Sequence, residues 1–233
     1  MTIKLITFDL DNTLWHTDPV IVRAEQLLWD WIQLHCPIVM KRFNPESLQV
    51  FKAQIASKNP HLRHKLSQLR VEFLYQLFLV CDCEPLRAQD LAQQGFTEFL
   101  SARNNVELFP GALNMLQALQ QDYQIIALSN GNSDLKVIGI DHLFAGHFHA
   151  ENMPRPKPHA DMFIAAMKHA GVSANECIHV GDHPEQDVLA AQQLGFKTIW
   201  ANLLQQSWPQ ELKLADHEIT HLDQLIPLLK QYA

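Results

Sequence analysis

Two carboxylates stand one residue apart at the end of an apolar, β-prone run, Leu5-Ile6-Thr7-Phe8-Asp9-Leu10-Asp11-Asn12-Thr13-Leu14. A strand, or the tight turn after one, lets Asp9 and Asp11 leave a sheet edge together. Carboxylates that close repel each other, and they stay ionised together most easily beside a hard cation such as Mg²⁺. An acidic turn needs no cation, since Asp and Asn are ordinary turn residues. Three further stretches bear on the choice. Ser129-Asn130-Gly131-Asn132 interrupts an apolar run, Pro154-Arg155-Pro156-Lys157-Pro158 holds a lysine before a helical pattern, and Gly181-Asp182 closes another apolar run shortly before Asp187. Singly, these read as a turn, a solvated cation, and a helix cap with a first-turn carboxylate.

The elements that would position these residues follow from periodicity. From Thr17 to Asn105 strand signals are nearly absent, glycine does not occur until Gly95, and apolar residues recur at helical spacing. One stripe holds Val20, Ala24, Leu27, Trp31 and Leu34, a second Val22, Trp29, Ile32 and Cys36, which predicts a helix covered on two sides. Asn44-Pro45-Glu46 reads as a capped helix start, the series Leu62, Leu66, Leu69, Phe73, Leu77 and Val80 as a long amphipathic helix, and Pro85 as the start of another. About four helices are expected here, too much structure for a loop.

From Val106 onward strands and helices alternate: a helix over 112–121, a strand over 123–128, a helix over 159–169, a strand over 177–180 and a helix over 184–194 closed by Gly195. A strand over 197–200, a short one at Glu218-Ile219 and a closing helix over 221–230 containing Pro227 complete the pattern. This implies an α/β fold with a doubly wound, Rossmann-like parallel sheet, formed by residues 1–15 and 106–233, with a helical domain over 16–105 inserted. Ligands of such sheets bind outside the carboxyl ends of the strands. Asp9, Asp11, Ser129, Asn130 and Asp182 all fall at that edge, with Lys157 between the second and third of those strands.

Composition narrows the partners. With 47% hydrophobic and 18% charged residues the chain is globular. A net charge of -7 argues against nucleic acid as a standing partner and supplies no basic arm for a membrane, while leaving room for a small phosphorylated substrate. Cys36, Cys81, Cys83 and Cys177 form no paired metal motif and read as reduced thiols of a cytoplasmic protein. There is no secretory pattern at Met1, and no apolar stretch approaches the ~20 residues needed to span a bilayer. No uncovered coiled-coil seam or edge-strand signal stands out to fix an oligomeric state, and the working expectation is a monomer or weak homodimer.

Asp9-x-Asp11-x-Thr13, Ser129, Lys157 and Gly181-Asp182 with Asp187, in that order, resemble the four motifs of the haloacid dehalogenase-like hydrolase superfamily. The likeness spans essentially the whole chain, and the insert is similar to the family's helical cap, which implies a lid that excludes water and selects the leaving group. The resemblance implies that Asp9 attacks phosphorus and that Asp11 protonates the leaving alkoxide and then activates water. Mg²⁺ would sit on the Asp9 carboxylate, the Asp11 backbone carbonyl and Asp182, with Asp187 supporting that shell. Ser129 and Lys157 would hold the phosphate oxygens, and Thr13 with the backbone N–H groups around Leu10 and Asn130 would complete the cradle. Asp11 points to the phosphatases, because the superfamily's true dehalogenases lack an acid there. Within the phosphatases the motif stretches look most like the bacterial branch that dephosphorylates a pyrimidine intermediate of riboflavin biosynthesis and, in vitro, FMN. A phosphosugar phosphatase or mutase using the same site, and a non-catalytic regulatory binding protein on the same scaffold, are the alternatives. His183 stands where the family more often has a small or acidic residue.

Other candidates are weaker. His142, His147 and His149, and the pair His61 and His64, are spacings that 13 histidines produce by coincidence. Trp15, Trp29 and Trp31 are candidates to shape a substrate pocket, at least one of the last two being plain core, and Arg23 and Arg63 are candidates to meet a second substrate charge, with solvated surface the favoured reading.

Overall fold

The computed structural model describes residues 2–232. The chain divides into two compact units. One runs to Thr17 and resumes at Val106; the other spans Asp18–Asn105. The first crossing therefore lies two residues beyond the boundary expected from sequence.

The first unit is built on six parallel strands: β1 (Leu5–Phe8), β2 (Gln124–Ser129), β3 (Gly146–His149), β4 (Cys177–Gly181), β5 (Lys197–Ala201) and β6 (His217–Ile219). They lie in the order β3-β2-β1-β4-β5-β6, so the winding direction reverses at β1. Leu5 pairs with Gln124 on one side and Cys177 on the other, and Phe8 with Ala127 and Val180. Side-chain alternation splits the central strands between two cores. Ile6, Phe8, Ile125, Ala127, Ile178 and Val180 pack with Met115 and Leu116, whereas Leu5, Ile126, Leu128 and Cys177 pack with Met162, Phe163 and Ala166. A sheet covered on both faces is what the continuous apolar runs require.

The helices, in chain order, are α1 (Thr17–His35), α2 (Ile38–Arg42), α3 (Pro45–Lys58), α4 (Leu66–Val80), α5 (Pro85–Asn104), α6 (Ala112–Leu119), α7 (Leu135–Ile138), α8 (Asp161–Ala170), α9 (Ala190–Gln193) and α10 (Leu225–Leu229). Periodicity does not reveal β3 or α7. The edge strand is half-buried along its whole length and carries two histidines, so it lacks the apolar signature of its neighbours. The helix expected over 184–194 starts as a π-turn over Pro184–Leu189 and only then becomes α9. Pro227 does not interrupt the final helix: it lies in the first turn of α10, where its missing N–H has no intrahelical acceptor to lose.

The second unit is built from α1 to α5, apart from the first residue of α1, with a 3-10 turn over Pro60–Leu62 between α3 and α4. Asn44 caps α3, accepting from the Ser47 N–H, with Pro45 as the first helical residue. The stripes expected on α1 are corrected: its buried face is Val20, Ala24, Leu28 and Ile32, while Val22, Leu27 and Leu34 are exposed. Strict i, i+4 spacing selects one face, and bulky residues off that face stay in water. Trp29 and Trp31 pack against this unit's core, and the added Cβ of a residue at Gly95 would lie 3.0 Å from the Trp31 ring. Arg23 donates to the Asn105 carbonyl. Cys36 and Cys83, distant in sequence, bring their sulfurs to 3.6 Å as free thiols. No helix among the described residues is long and apolar enough to cross a membrane.

The α1 assignment makes a direct prediction. Leu28→Ala should lower unfolding free energy by ~2–5 kcal/mol, whereas Leu34→Ala, at a position 77% exposed, should stay within ~0.5 kcal/mol of the parent. Urea unfolding of both variants checks the pair.

Candidate active site

β1, β2 and β4 end side by side, and each hands its last residues to the site. Backbone pairing continues one step past β1, with the Asp9 N–H donating to Val180 O at 2.9 Å. The chain then turns tightly: Leu10 O accepts from the Thr13 and Leu14 N–H groups, and Asn12 takes the left-handed conformation at φ 60°. Asn tolerates that region better than most residues, and its Oδ1 accepts from the Thr17 N–H at 3.0 Å.

The two acids of this turn meet different surroundings. Asp9 is buried, with Oδ1 2.7 Å from Lys157 Nζ and Oδ2 3.3 Å from Thr13 Oγ1. Asp11 is half-buried and its Oδ1 accepts from Trp15 Nε1 at 2.9 Å and from Thr17 Oγ1 at 2.7 Å. Trp15 is therefore not a wall of a substrate pocket. It is completely buried in the core and its indole N–H orients Asp11.

Lys157 lies almost completely inside the protein, and its three ammonium hydrogens have three acceptors: Asp9 Oδ1 at 2.7 Å, Leu128 O at 2.7 Å and Asp187 Oδ1 at 2.6 Å. Burial alone would depress its pKa, but Asp187 and Asp9 outweigh it and hold the ammonium above its ordinary value. Asp187 is under the same opposition. Burial pushes its carboxyl up, while Lys157 and His179 overcome that and keep it well below the usual carboxylate range. Asp187 Oδ2 also accepts from the His183 N–H at 3.0 Å, so both its oxygens are engaged.

The side chain of Asn130 is engaged within the protein, apart from the phosphate contact expected of the backbone N–H groups around it. Its Oδ1 accepts from the Lys157 N–H at 2.9 Å, and its Nδ2 donates to Lys157 O and Gln186 Oε1, both at 2.8 Å. It clamps the backbone of the segment carrying the lysine. Ser129 is buried and its Oγ accepts from the Gly131 N–H at 2.9 Å, which fixes the loop after β2.

Asp182 follows β4 and is half-buried, and its carbonyl accepts from Trp200 Nε1 at 2.7 Å. His183 shapes the next turn: its Nδ1 accepts from the Glu185 and Gln186 N–H groups at 3.2 and 3.3 Å. Asp9, Asp182 and Asp187 can each present an oxygen within 4.8 Å of the others'. Among the described residues no other group of three or more Asp, Glu, His or Cys side chains comes that close, and the histidines spaced in sequence do not form one. Burial, opposed by Lys157 but aided by Asp187 and Asp11, raises Asp9 to about 7. Burial, with Asp9 and Asp187 beside it, raises Asp182 to about 8. Lys157 alone leaves this negative cluster undercompensated, and its oxygen donors suit a hard cation such as Mg²⁺.

A sequence model of haloacid dehalogenase-like hydrolases matches residues 3–195. The chain belongs to the haloacid dehalogenase-like hydrolase family. Among curated proteins it is 28% identical to the 5-amino-6-(5-phospho-D-ribitylamino)uracil phosphatase YigB of Escherichia coli, over 97% of this chain and 96% of that one. It is 27% identical to the glyceraldehyde 3-phosphate phosphatase of Pyrococcus furiosus, covering 98% and 94%. Among solved structures, a 2-haloacid dehalogenase from Pseudomonas syringae pv. Tomato superposes over all of both chains, with a TM-score of 0.94 and 35% identity.

Motif reading of this haloacid dehalogenase-like hydrolase gave no role in the site to Thr7, Thr17, His179 or Trp200. The available signal for Thr7 and His179 was a polar residue inside an otherwise apolar strand, and these two are cross-strand partners in the β1–β4 register. Gly181 carries the sharpest steric constraint. A Cβ there would lie 2.4 Å from Asp187 Cγ, well inside the separation that non-bonded carbons keep. Gly181→Ala should therefore displace Asp187 from Lys157 and destabilise the fold by ~1–3 kcal/mol. A lowered urea midpoint with an unchanged m-value, accompanied by loss of activity, checks this.

Proposed function

We propose that this phosphoric monoester hydrolase releases phosphate from a small, cytosolic phosphorylated metabolite by way of an aspartyl-phosphate on Asp9. The observation that carries the reading is the contrast between the two acids of the first turn. Asp9 is buried against a lysine and faces other carboxylates, as a nucleophile awaiting an electrophilic phosphorus requires. Asp11 is turned aside by two donors to its Oδ1, so a proton on this carboxyl sits on Oδ2.

In the first step an Asp9 oxygen bonds to phosphorus as the bond to the ester oxygen breaks, and Asp11 gives its proton to that leaving alkoxide. In the second step Asp11 takes a proton from water as the water oxygen attacks phosphorus, returning Asp9 and freeing phosphate. Lys157, and the N–H groups of the loops after β1 and β2, hold charge that spreads over the phosphoryl oxygens. Asp9, Asp182 and the Asp11 carbonyl would hold Mg²⁺, which neutralises phosphate charge when bound. Asp187, with both oxygens engaged, acts through Lys157.

Cleavage of a carbon–halogen bond is the reading suggested by the 35% identical dehalogenase structure. Halide departs as a stable anion and needs no proton, so Asp11 and its two donors would have no task. An alkoxide does need one, which favours phosphate esters. The leading substrate is the ribitylaminouracil phosphate for which the E. coli relative is named, with FMN second.

The metal assignment predicts a pH signature. Asp9 and Asp182 have folded pKa values of about 7 and 8, above their unfolded values, so the metal-free native state binds more protons than the unfolded chain between these limits. Their contribution to stability is present at low pH and is lost as pH rises through about 7 and 8. In EDTA the melting temperature should fall along that range, and Mg²⁺ should raise it more at the alkaline end than at the acid end. Calorimetry at both ends, with and without Mg²⁺, checks it.

The functional test is a substrate panel containing the ribitylaminouracil phosphate, FMN, glyceraldehyde 3-phosphate, a hexose phosphate and a 2-haloacid. Hydrolysis of the phosphate esters is expected, highest for the first, and Asp9→Asn should abolish it in a folded protein. Turnover of the haloacid alone, transfer to added sugar exceeding release to water, or full activity of Asp9→Asn would each overturn the reading.

A further inference from the structure

Behind the three carboxylates, buried polar groups form a line across β1 and β4. Thr7 Oγ1 lies 2.8 Å from His179 Nδ1, and His179 Nε2 lies 3.1 Å from Asp187 Oδ1. That same oxygen is 2.6 Å from Lys157 Nζ, which in turn is 2.7 Å from Asp9 Oδ1. Thr7 and His179 are as buried as the aliphatic residues around them, and Phe163 packs edge-on to the imidazole with ring centroids 5.0 Å apart. No step of the reaction uses either residue. A buried imidazole costs more than an aliphatic side chain unless both its nitrogens are satisfied, so its place in this strand asks for a reason.

The protons in this line can be assigned by elimination. Asp187, held ionised by Lys157, offers only acceptors, so the nitrogen facing it must carry the hydrogen: Nε2–H donates to Oδ1. Burial keeps the ring neutral, leaving a lone pair on Nδ1 that must meet a donor. The Thr7 hydroxyl is that donor at 2.8 Å, in preference to its longer 3.3 Å contact with Ile178 O. Thr7 thus sets the tautomer, His179 delivers one N–H to Asp187, and the His183 N–H secures the other carboxylate oxygen.

We propose that His179 is a positioning residue for the reaction at Asp9: the Thr7-set Nε2–H holds Asp187 in the orientation that places the Lys157 ammonium against the nucleophile. This rests on the reading of Asp9 and Lys157 given above. Removing the N–H lets the Asp187 carboxylate rotate and carries Lys157 with it. The loss then appears in the transition state, where Lys157 faces the most charge, more than in substrate binding.

The test compares His179→Phe, His179→Gln, Thr7→Val and Thr7→Ser, with a 15N spectrum of histidine-labelled protein reporting which ring nitrogen is protonated. His179→Phe keeps the bulk and loses the donor, and kcat should fall ~10–100-fold with little change in KM. His179→Gln, whose amide nitrogen reaches the place of Nε2, should recover most of that loss. Thr7→Val should lower kcat and change the ring nitrogen signature, and Thr7→Ser should restore both. His179→Gln as slow as His179→Phe, a melting temperature that falls while kcat does not, or an Nδ1–H tautomer in the parent protein would each overturn the proposal. If His179→Phe does not fold, the Thr7 pair and the ring spectrum decide. If the parent protein hydrolyses no phosphate ester, the reading of Asp9 and Lys157 has failed, and the ring spectrum still decides whether the hydrogen-bond line exists.

Discussion

A lysine ammonium placed almost completely out of water is tolerated only when every proton on it is taken and its charge is matched. Lys157 meets that condition through two carboxylates and one carbonyl that arrive from separate parts of the chain: Asp9 after β1, Leu128 on β2 and Asp187 in the π-turn after β4. The three strands must therefore end at the same level, and the segment carrying the lysine must be clamped to the loop after β2, which Asn130 does with both ends of its amide. Removing one member would leave the others as uncompensated buried charges, so the group behaves as a unit.

The charges around the lysine do not cancel. Asp9, Asp182 and Asp187 face one cation, and the imbalance falls on the two acids that Lys157 does not fully serve. Asp187 stays ionised because it receives Lys157, His179 and a backbone N–H together. Among the described residues Asp182 has no such set of donors, and its backbone is anchored instead by Trp200. One acid is thus tied into the protein scaffold while the others are left electrostatically hungry, which is the division of labour a site needs if it is to take up a divalent cation and a phosphate ester in turn.

Steric constraints reinforce the electrostatic ones. Gly181 is required because Asp187 occupies the space where any side chain would begin. The π-turn that presents Asp187 adds an extra residue to the helical turn, and His183 caps it by accepting from two N–H groups. The site's precision comes from such supports, most of which never touch the substrate region.

Much of this protein is written locally in its sequence. The apolar runs of β1, β2 and β4 ending in Asp9, Ser129 and Asp182, the strand–helix alternation after Val106, and the helical spacing between Thr17 and Asn105 carry the fold and the chemical inventory. They are legible because hydrophobic periodicity and chain-breaking residues act over short distances. Tertiary structure alone decided which partner each group found. Trp15, a candidate pocket wall, is the orienting donor of Asp11, and the side chain of Asn130, to which the motifs assign no role of its own, is the clamp on Lys157. β3 escaped detection because a half-buried edge needs no apolar alternation. Thr7 and His179 stand far apart in the chain and meet only because β1 and β4 pair in one register. A side chain's type sets what bonds it can make, but which of them it makes depends on what the folded sheet places within 3 Å, and no local pattern encodes that.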